Sequence, residues 1–570
     1  MRGAAQHLGS ERVSDVSSET VPTFADHVLA RADDDNIAIL FEEQSWTYRE
    51  WVRECIARAD LFNSVRIEGA AHIGLLLENV PDFTMWLGAA ALAGATIVGI
   101  NPTRRGSELA RDITFTECQL IITETSQADL LDGLDLGRAA ARVLVVDTAS
   151  YGELVAAHRP ATAEGYIAAS YEPESQYLLL FTSGTSGAPK AVITSHGRLQ
   201  NVSTSMIGLT SLTSDDVTYI SMPLFHSNAL FTAWAPSVVS GATIALRRTF
   251  SASGFLPDIR RFGATYFNYV GKPLAYVLAT PERTDDADNP LVRGYGNEAA
   301  EADLHRFAQR FRCTLNDGYG QTETGASIIR VAGMPAGALG LGAPTIRVLG
   351  ADTGEECPRA RFDDNGRLLN ADDAIGEIVN STRGTFEGYW NNPEADSERL
   401  RDGAYWTGDL AYRDEAGYFY FAGRSAEWIR VDGENFSGAP IERILGRFPG
   451  VVLAAAYGVP DAEIGDRVMA ALQLGEGVCF DPVGFATFLS AQSDLGSKWS
   501  PTYVRIVTTL PMTQTNKILK RDLVKQQWRT SEPVWWRSGK DVAYQLFTAA
   551  DLDALTARFA AAGRAQLVGA

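Results

Sequence analysis

Cysteine is scarce in this 570-residue chain. The five that occur, Cys55, Cys118, Cys313, Cys357 and Cys479, stand far apart, with no C-x-x-C pair and no cysteine–histidine cluster at ligand spacing. That scatter suggests neither a zinc site nor a disulfide framework and fits a reducing compartment. Positive charge is also in short supply, with 50 Lys+Arg against 70 Asp+Glu and a formal net charge of −20. A general nucleic-acid binder needs a basic surface to displace phosphate counterions, so no nucleic-acid partner is expected. A local basic pocket for a phosphorylated ligand stays open, because net charge describes the surface and not a site. Long apolar runs are missing too. The longest, residues 87–100 (LGAAALAGATIVGI), is too short and too rich in small residues to cross a bilayer, so no transmembrane segment is expected. The opening MRGAAQHLGSERVSDVSSE has no apolar stretch and does not read as a signal peptide, and no solenoid repeat occurs. A soluble, cytoplasmic protein is expected.

What is present is the composition of a globular protein, 45% apolar, over a length that predicts more than one domain. SWTYREWVREC starts an amphipathic helix with Ser or Thr as its cap. From about residue 70, apolar runs (HIGLLLEN, ATIVGIN, QLIIT, RVLVVD, YLLLF, VTYISM, ATIALR, ATYFNYV) alternate with helical patterns. Continuous apolar strands spaced by helices indicate an α/β protein with more than one parallel sheet covered on both faces. Between residues 340 and 425 glycine and proline punctuate short strands, which suggests a small β-rich subdomain. After Gly423–Arg424 a compact mixed pattern restarts, so a large N-terminal domain, residues 1–424, and a smaller C-terminal domain, residues 425–570, are expected.

The most informative segment is residues 177–190, YLLLFTSGTSGAPK. A buried strand feeds a run of small hydroxyl residues and glycines, then Lys190. Hydroxyl donors and closely approaching backbone amides suit an anionic phosphate chain. It is not a Walker A loop, because Gly-Lys-Ser/Thr is missing and the lysine follows a proline.

TSGTSGAPK closely resembles the phosphate-loop signature of the adenylate-forming superfamily of acyl-CoA synthetases, adenylation domains and luciferases. Further segments follow in family order: ALAGATIVGINP (91–102), PLFHSNAL (223–230), DGYGQTETG (317–325), GEIV (376–379), YWTGDLAY (405–412), GYFYFAGR (417–424), GENFSGAPIE (433–442) and PMTQTNKILKR (511–521). The resemblance spans roughly residues 40–530. It implies two packed mixed or parallel sheets with helices in the N-terminal domain and a mobile α+β C-terminal domain. It also implies a two-step reaction with ATP, Mg²⁺ and coenzyme A, in which a carboxylic acid becomes an acyl-adenylate and then a thioester.

Site residues follow from the same resemblance. Thr182, Ser183, Gly184, Thr185, Ser186, Gly187 and Lys190 would cradle the β,γ-phosphates. Tyr319 would stack on adenine, with Gly296, Asn297, Glu298, Asp317, Gly318 and Gly320 around the nucleotide. Thr322 would hydrogen-bond the α-phosphate, and Glu323 would ligate Mg²⁺, carboxylate oxygen being the hard ligand this ion takes. Asp409 and Arg424 would hold the ribose. Lys517 corresponds to the catalytic lysine, a cation reaching the carboxylate and α-phosphate oxygens. His226 would sit near the substrate carboxylate. Phe225, His226, Asn228, Tyr269, Val270 and Gly271 would line the acyl site, within the segments 225–232 and 266–274. Val431, Gly433, Glu434 and Asn435 would face coenzyme A after the C-terminal domain turns. Two positions depart from the family pattern: Ala426, followed by Glu427, stands where Asp or Lys commonly marks the hinge, and Glu298 replaces a small residue.

ATYFNYVGKPLAYVL (264–278), GNEAAEADLHRFAQRF (296–311), the TNK form of the lysine motif and DVAYQLFTAADLDAL (541–555) resemble the fatty acid transport protein and very-long-chain acyl-CoA synthetase branch. This implies a medium-to-very-long-chain fatty acid as the substrate. Ligases for an aryl acid, a sterol side chain or a carnitine-like acid, a ligase acting on a carrier protein, and a non-catalytic nucleotide or acyl-CoA sensor are the alternatives. The resemblance also leaves room for peripheral membrane contact and a homodimer.

Overall fold

The computed structural model describes residues 22–182, 190–351, 353–363, 368–382, 384–424, 428–431, 434–462, 466–492, 495–496, 498–512, 518–537, 543–561 and 564–568. Helix Tyr48–Val65 starts on Thr47, which accepts the Glu50 amide while the Glu50 carboxylate takes the Thr47 amide, a reciprocal capping box. Helix Pro81–Ala93 begins on a proline, where no amide donor is needed, and stops at Gly94 with φ 62°. Every position of that helix except Asp82 is buried, as expected of a helix apolar on all sides.

Two large sheets share one interior. The first runs Val143–Val145, Leu120–Thr123, His72–Leu76, Thr96–Gly99, Gln176–Thr182, Lys190–Ser195. Its neighbours are parallel except the last pair, which is antiparallel. The second, of nine strands, has a parallel centre (Ile37–Phe41, Thr243–Leu246, Val217–Ile220, Tyr266–Val270, Arg293–Asn297, Thr314–Gln321) and antiparallel edges. Ile73, Leu75 and Leu178 of one sheet and Ile39, Ile220 and Ile244 of the other belong to the same buried cluster.

A third, antiparallel sheet is the β-rich unit that the glycine and proline pattern announces: Ile346–Leu349, Gly376–Asn380, Leu400–Arg401, Ala404–Arg413 and Phe419–Arg424. A hairpin, Trp428–Val431 with Glu434–Ser437, follows. The C-terminal sheet then orders Val451–Pro460, Asp466–Leu474, Tyr503–Val507, Val534–Trp536 and Gln545–Leu546 beside helices Gly438–Leu445, Pro482–Ala491 and Ala549–Ala561. The architecture is α/β, a large N-terminal part of mixed sheets and helices with a smaller C-terminal part. Among the described residues no helix is long and apolar enough to cross a membrane.

Candidate active site

A cleft of about 3380 Å³ is lined from both parts of the chain. On the nucleotide side, strands Gln176–Thr182 and Lys190–Ser195 pair antiparallel with Thr182 opposite Lys190, so both ends of the glycine-rich segment lie at one place. Residues 183–189, which include Ser183, Gly184, Thr185, Ser186 and Gly187, lie outside the described residues. Lys190 is buried, its Nζ 3.4 Å from Glu398 Oε2 and 5.6 Å from the centre of the Tyr389 ring. The Tyr389 hydroxyl in turn donates to Glu323 Oε1 at 3.3 Å. One ring thus touches both the lysine and the carboxylate assigned to the phosphates and Mg²⁺.

Strand Thr314–Gln321 brings the DGYGQTE motif into the cleft. The Tyr319 hydroxyl donates to Asp409 Oδ2 at 2.7 Å, and the Gln321 amide donates to the same oxygen. Asp409 is buried on strand Ala404–Arg413, in register with Arg424 of the neighbouring strand. Thr322 is braced twice: its hydroxyl shares a 2.7 Å hydrogen bond with Ser227, and its carbonyl accepts Arg198 Nη2 at 2.9 Å.

The side of the cleft assigned from sequence to the acyl group begins at PLFHSN. A Cβ on Gly99 would come within 2.8 Å of the Phe225 carbonyl, so glycine in ATIVGIN lets that turn seat against the first sheet. Phe225 and His226 rings lie 4.2 Å apart, and both residues line the cleft. Asn268 donates to Asn228 Oδ1 at 2.8 Å, Asn228 to Asn297 Oδ1 at 2.8 Å, and Asn297 to the Gly318 carbonyl at 3.4 Å. This amide chain ties PLFHSN to strand Thr314–Gln321. Val270 and Gly271 also line the cleft, and a Cβ at Gly271 would lie 2.0 Å from the Glu298 carbonyl, so only glycine fits.

A family profile described as AMP-binding enzyme matches residues 26–390, and one described as AMP-binding enzyme C-terminal domain matches residues 440–517. The chain belongs to the AMP-binding enzyme family. It is 49% identical to the steroid-22-oyl-CoA synthetase of Rhodococcus jostii (strain RHA1) over 548 residues, 95% of this chain and 98% of that protein. It is 48% identical over 465 residues to the medium/long-chain-fatty-acid–CoA ligase FadD17 of Mycobacterium marinum (strain ATCC BAA-535 / M), covering 81% and 88% of the two chains. Its fold is shared with ATP-bound MatB from Rhodopseudomonas palustris, with a TM-score of 0.76 and 24% identity over 88% of this chain and 98% of that one.

In this AMP-binding enzyme not every residue assigned from sequence reaches the cleft. Tyr269 is a correction to the acyl assignment. Its ring packs with Tyr219, Phe255 and Phe267 in the core, and its hydroxyl donates to the Asn316 carbonyl at 2.8 Å. Strand alternation sends Tyr269 and Phe267 to the packed face, so Tyr269 supplies backbone to the wall. Gly296 is likewise a packing glycine, its missing Cβ 2.3 Å from the Tyr269 ring. Val431 is buried in the C-terminal core with Ile429 and Ile441 and does not line the cleft in this arrangement of the two parts. Asn297, Asp317, Gly318 and Gly320 line the cleft, as does Glu298, an exposed residue held at φ 64°. A non-glycine residue there costs on the order of 1 kcal/mol or more.

Gly433, Ala426, Glu427 and Lys517 lie outside the described residues, as do the side chains of Arg424, Glu434 and Asn435. Met512 and Ile518, on either side of the lysine segment, line the cleft. Helix His196–Thr210 is a wall that no motif announced, presenting Arg198, Val202, Ser205, Met206 and Leu209 to the cleft. Its signal in the sequence is only the spacing of three and four between those positions.

Proposed function

We propose that this chain joins a carboxylic acid with a large apolar body to coenzyme A, using the cleft residues in the roles their motifs suggest. The chain is an ATP-dependent, AMP-forming acyl-CoA ligase, as its family and full-length relatives bear out. The substrate carboxylate attacks the α-phosphorus of ATP; the new O–P bond forms as the bond to pyrophosphate breaks. The thiol of coenzyme A then attacks the acyl carbon, and AMP leaves with the C–O electrons.

The observation that carries the residue assignments is the convergence of Lys190, Tyr319, Thr322, Glu323 and Asp409 on one cleft through direct contacts and a shared neighbour, Tyr389. The donor set fits Mg²⁺: Glu323 faces the cleft as a hard oxygen ligand beside the Thr322 hydroxyl, and such ions take one or two carboxylates plus substrate phosphates. The ion would neutralise phosphate charge. Lys190 would hold the leaving phosphates, Tyr319 and Asp409 the nucleoside, Thr322 the α-phosphate and Lys517 the developing charge. The reading places the division between the two domains at residue 424, the C-terminal one turning between half-reactions. It also places the enzyme in the cytoplasm, in keeping with five free cysteines; pairing of copies and contact with a membrane surface are further parts of it.

For the acid, a medium-to-very-long-chain fatty acid is the first reading. A steroid side-chain carboxylate is the second, favoured by the 49% identity across nearly the whole length of the steroid-22-oyl-CoA synthetase. Pyrophosphate release with a panel of fatty, aryl and steroid acids, with and without coenzyme A, tests both. Acid-dependent release and thioester formation support the ligase, and the relative kcat/KM values choose the acid. The absence of pyrophosphate release with every acid in the panel would sink the reading.

A further inference from the structure

Arg198 is an unusual residue to find where it is. It lies in the first turn of helix His196–Thr210, whose Ser195 cap accepts the Arg198 amide at 3.1 Å. A cation at a helix N-terminus opposes the dipole, and a guanidinium drawn out of water pays a desolvation penalty. Its Nη1 is sealed from solvent with no hydrogen-bond partner among the described residues. Burial pulls its pKa down, opposed by the charges of Glu387 and Glu323.

Both carboxylates are placed. Glu387 accepts the Ser195 amide at 2.7 Å and the Ser195 hydroxyl at 2.6 Å, so it caps the same helix end. Glu323 follows Thr322, whose carbonyl takes Arg198 Nη2 at 2.9 Å. The Thr322 hydroxyl is fixed separately by Ser227 at 2.7 Å. The Glu323 charge acts on the guanidinium in the direction that favours its charged form.

We propose that Arg198 is a positioning residue for adenylation: its guanidinium fork fixes the Thr322–Glu323 turn by the Thr322 backbone and balances the charge of Glu323, so that both side chains stand ready for the α-phosphate and its metal. This rests on the roles proposed above for Thr322 and Glu323. Arg198 need not touch the nucleotide, and the residues that hold adenine and ribose are on other elements. Its loss therefore falls on kcat and spares ground-state binding.

The test compares Arg198→Lys and Arg198→Met with the wild-type enzyme. The readouts are thermal midpoint, equilibrium binding of Mg·ATP without acid, and acid-dependent pyrophosphate release. Arg198→Lys keeps the buried charge and the fold but loses the planar fork. It is expected to lose about tenfold in kcat while the KM values and the Mg·ATP Kd stay within about threefold. Arg198→Met is expected to lose about 100-fold in kcat, the effect of a misplaced reacting group, with the lysine variant recovering part of it. A folded Arg198→Lys enzyme with kcat within about twofold of wild type overturns the proposal, as does a rise in the Mg·ATP Kd in place of a fall in kcat. If the wild-type enzyme itself releases no pyrophosphate with any acid, the ligase reading fails first. Wild-type turnover with unaffected variants fails only the role of Arg198.

Discussion

Asp317 sits where a carboxylate is hard to ionise. Among the described residues its Oδ2 has only long hydrogen bonds, from the Ala299 amide at 3.3 Å and the Tyr269 hydroxyl at 3.4 Å. Lost hydration pushes its pKa up to about 7, with the charge of Glu298 acting in the same direction and Ala299 and Arg330 against it. Because the folded value lies above the ordinary one, the proton-linked stability is complete below pH about 4 and is lost as the pH rises through about 7. Asp317→Asn cannot ionise, so its thermal midpoint should exceed that of the wild type at pH about 8, and the gap should close toward pH about 4. A gap that does not change with pH would show that Asp317 titrates as an ordinary surface acid. At this scale much is legible in the sequence, because the spacing within DGYGQTE and YWTGDLAY fixes which side chains share a strand. The brace on Thr322 is not. It comes from Ser227 and Arg198, 95 and 124 positions away, through a hydroxyl and a backbone carbonyl. Tyr269 was misassigned for a related reason: YFNYV is buried along its whole length, so the sequence does not show which face points to the cleft.

Helix His196–Thr210 makes one wall of the cleft and was not foreseen as such. Its cleft-facing positions, Arg198, Val202, Ser205, Met206 and Leu209, mix charge, hydroxyl and apolar groups, so they form neither an apolar stripe nor a polar face. Met206 also packs with Leu212, Tyr266 and Tyr295 behind the wall. This helix carries a cation at its start, beside Thr322, and aliphatic side chains further along the cleft, so under the proposed function it would lead from the phosphates toward the acyl body. Val202, partly buried next to this packed layer, is the place to narrow the acyl space. Val202→Trp should lower kcat/KM for long-chain or steroid acids by about tenfold or more while leaving a short acid such as butyrate within about twofold, since single methylenes in such pockets already discriminate by that much. Equal losses for short and long acids, with the fold intact, would place the acyl body elsewhere. The sheets behind this helix were easier to read, because apolar runs of strand length are separated by capped helices; Thr47 and Pro81 start theirs as the sequence rules expect.

At the scale of the whole molecule, a chain of net charge −20 must admit two polyanions. The cleft, which at about 3380 Å³ is several times the size of a single-ligand pocket, gathers basic side chains against that overall charge, among them Lys190, Arg198, Arg330, Arg399 and Arg443. Its walls come from both parts of the chain: Val270 and Gly271 from one, Glu442, Arg443, Met512 and Ile518 from the other. Contacts across it are mixed: Arg443 donates to the Gly337 carbonyl at 3.1 Å, Lys272 Nζ lies 3.7 Å from Met512 Sδ, and Ala275 with Tyr276 packs against the apolar cluster of the C-terminal part. Interfaces of that kind leave relative domain motion as the physical expectation. If the C-terminal part turns between half-reactions, the lysine it carries serves only the first. Lys517→Ala should then lower adenylation, measured as acid-dependent pyrophosphate release, by about 100-fold or more, the effect of removing a group aimed at transition-state charge. Thioester formation from pre-made acyl-adenylate and coenzyme A should stay within about threefold of wild type, because the lysine is no longer beside the reacting atoms. A loss of the same size in both half-reactions would mean that one arrangement of the two parts performs both steps, and that the breadth of the cleft serves substrate entry and not an exchange of catalytic faces.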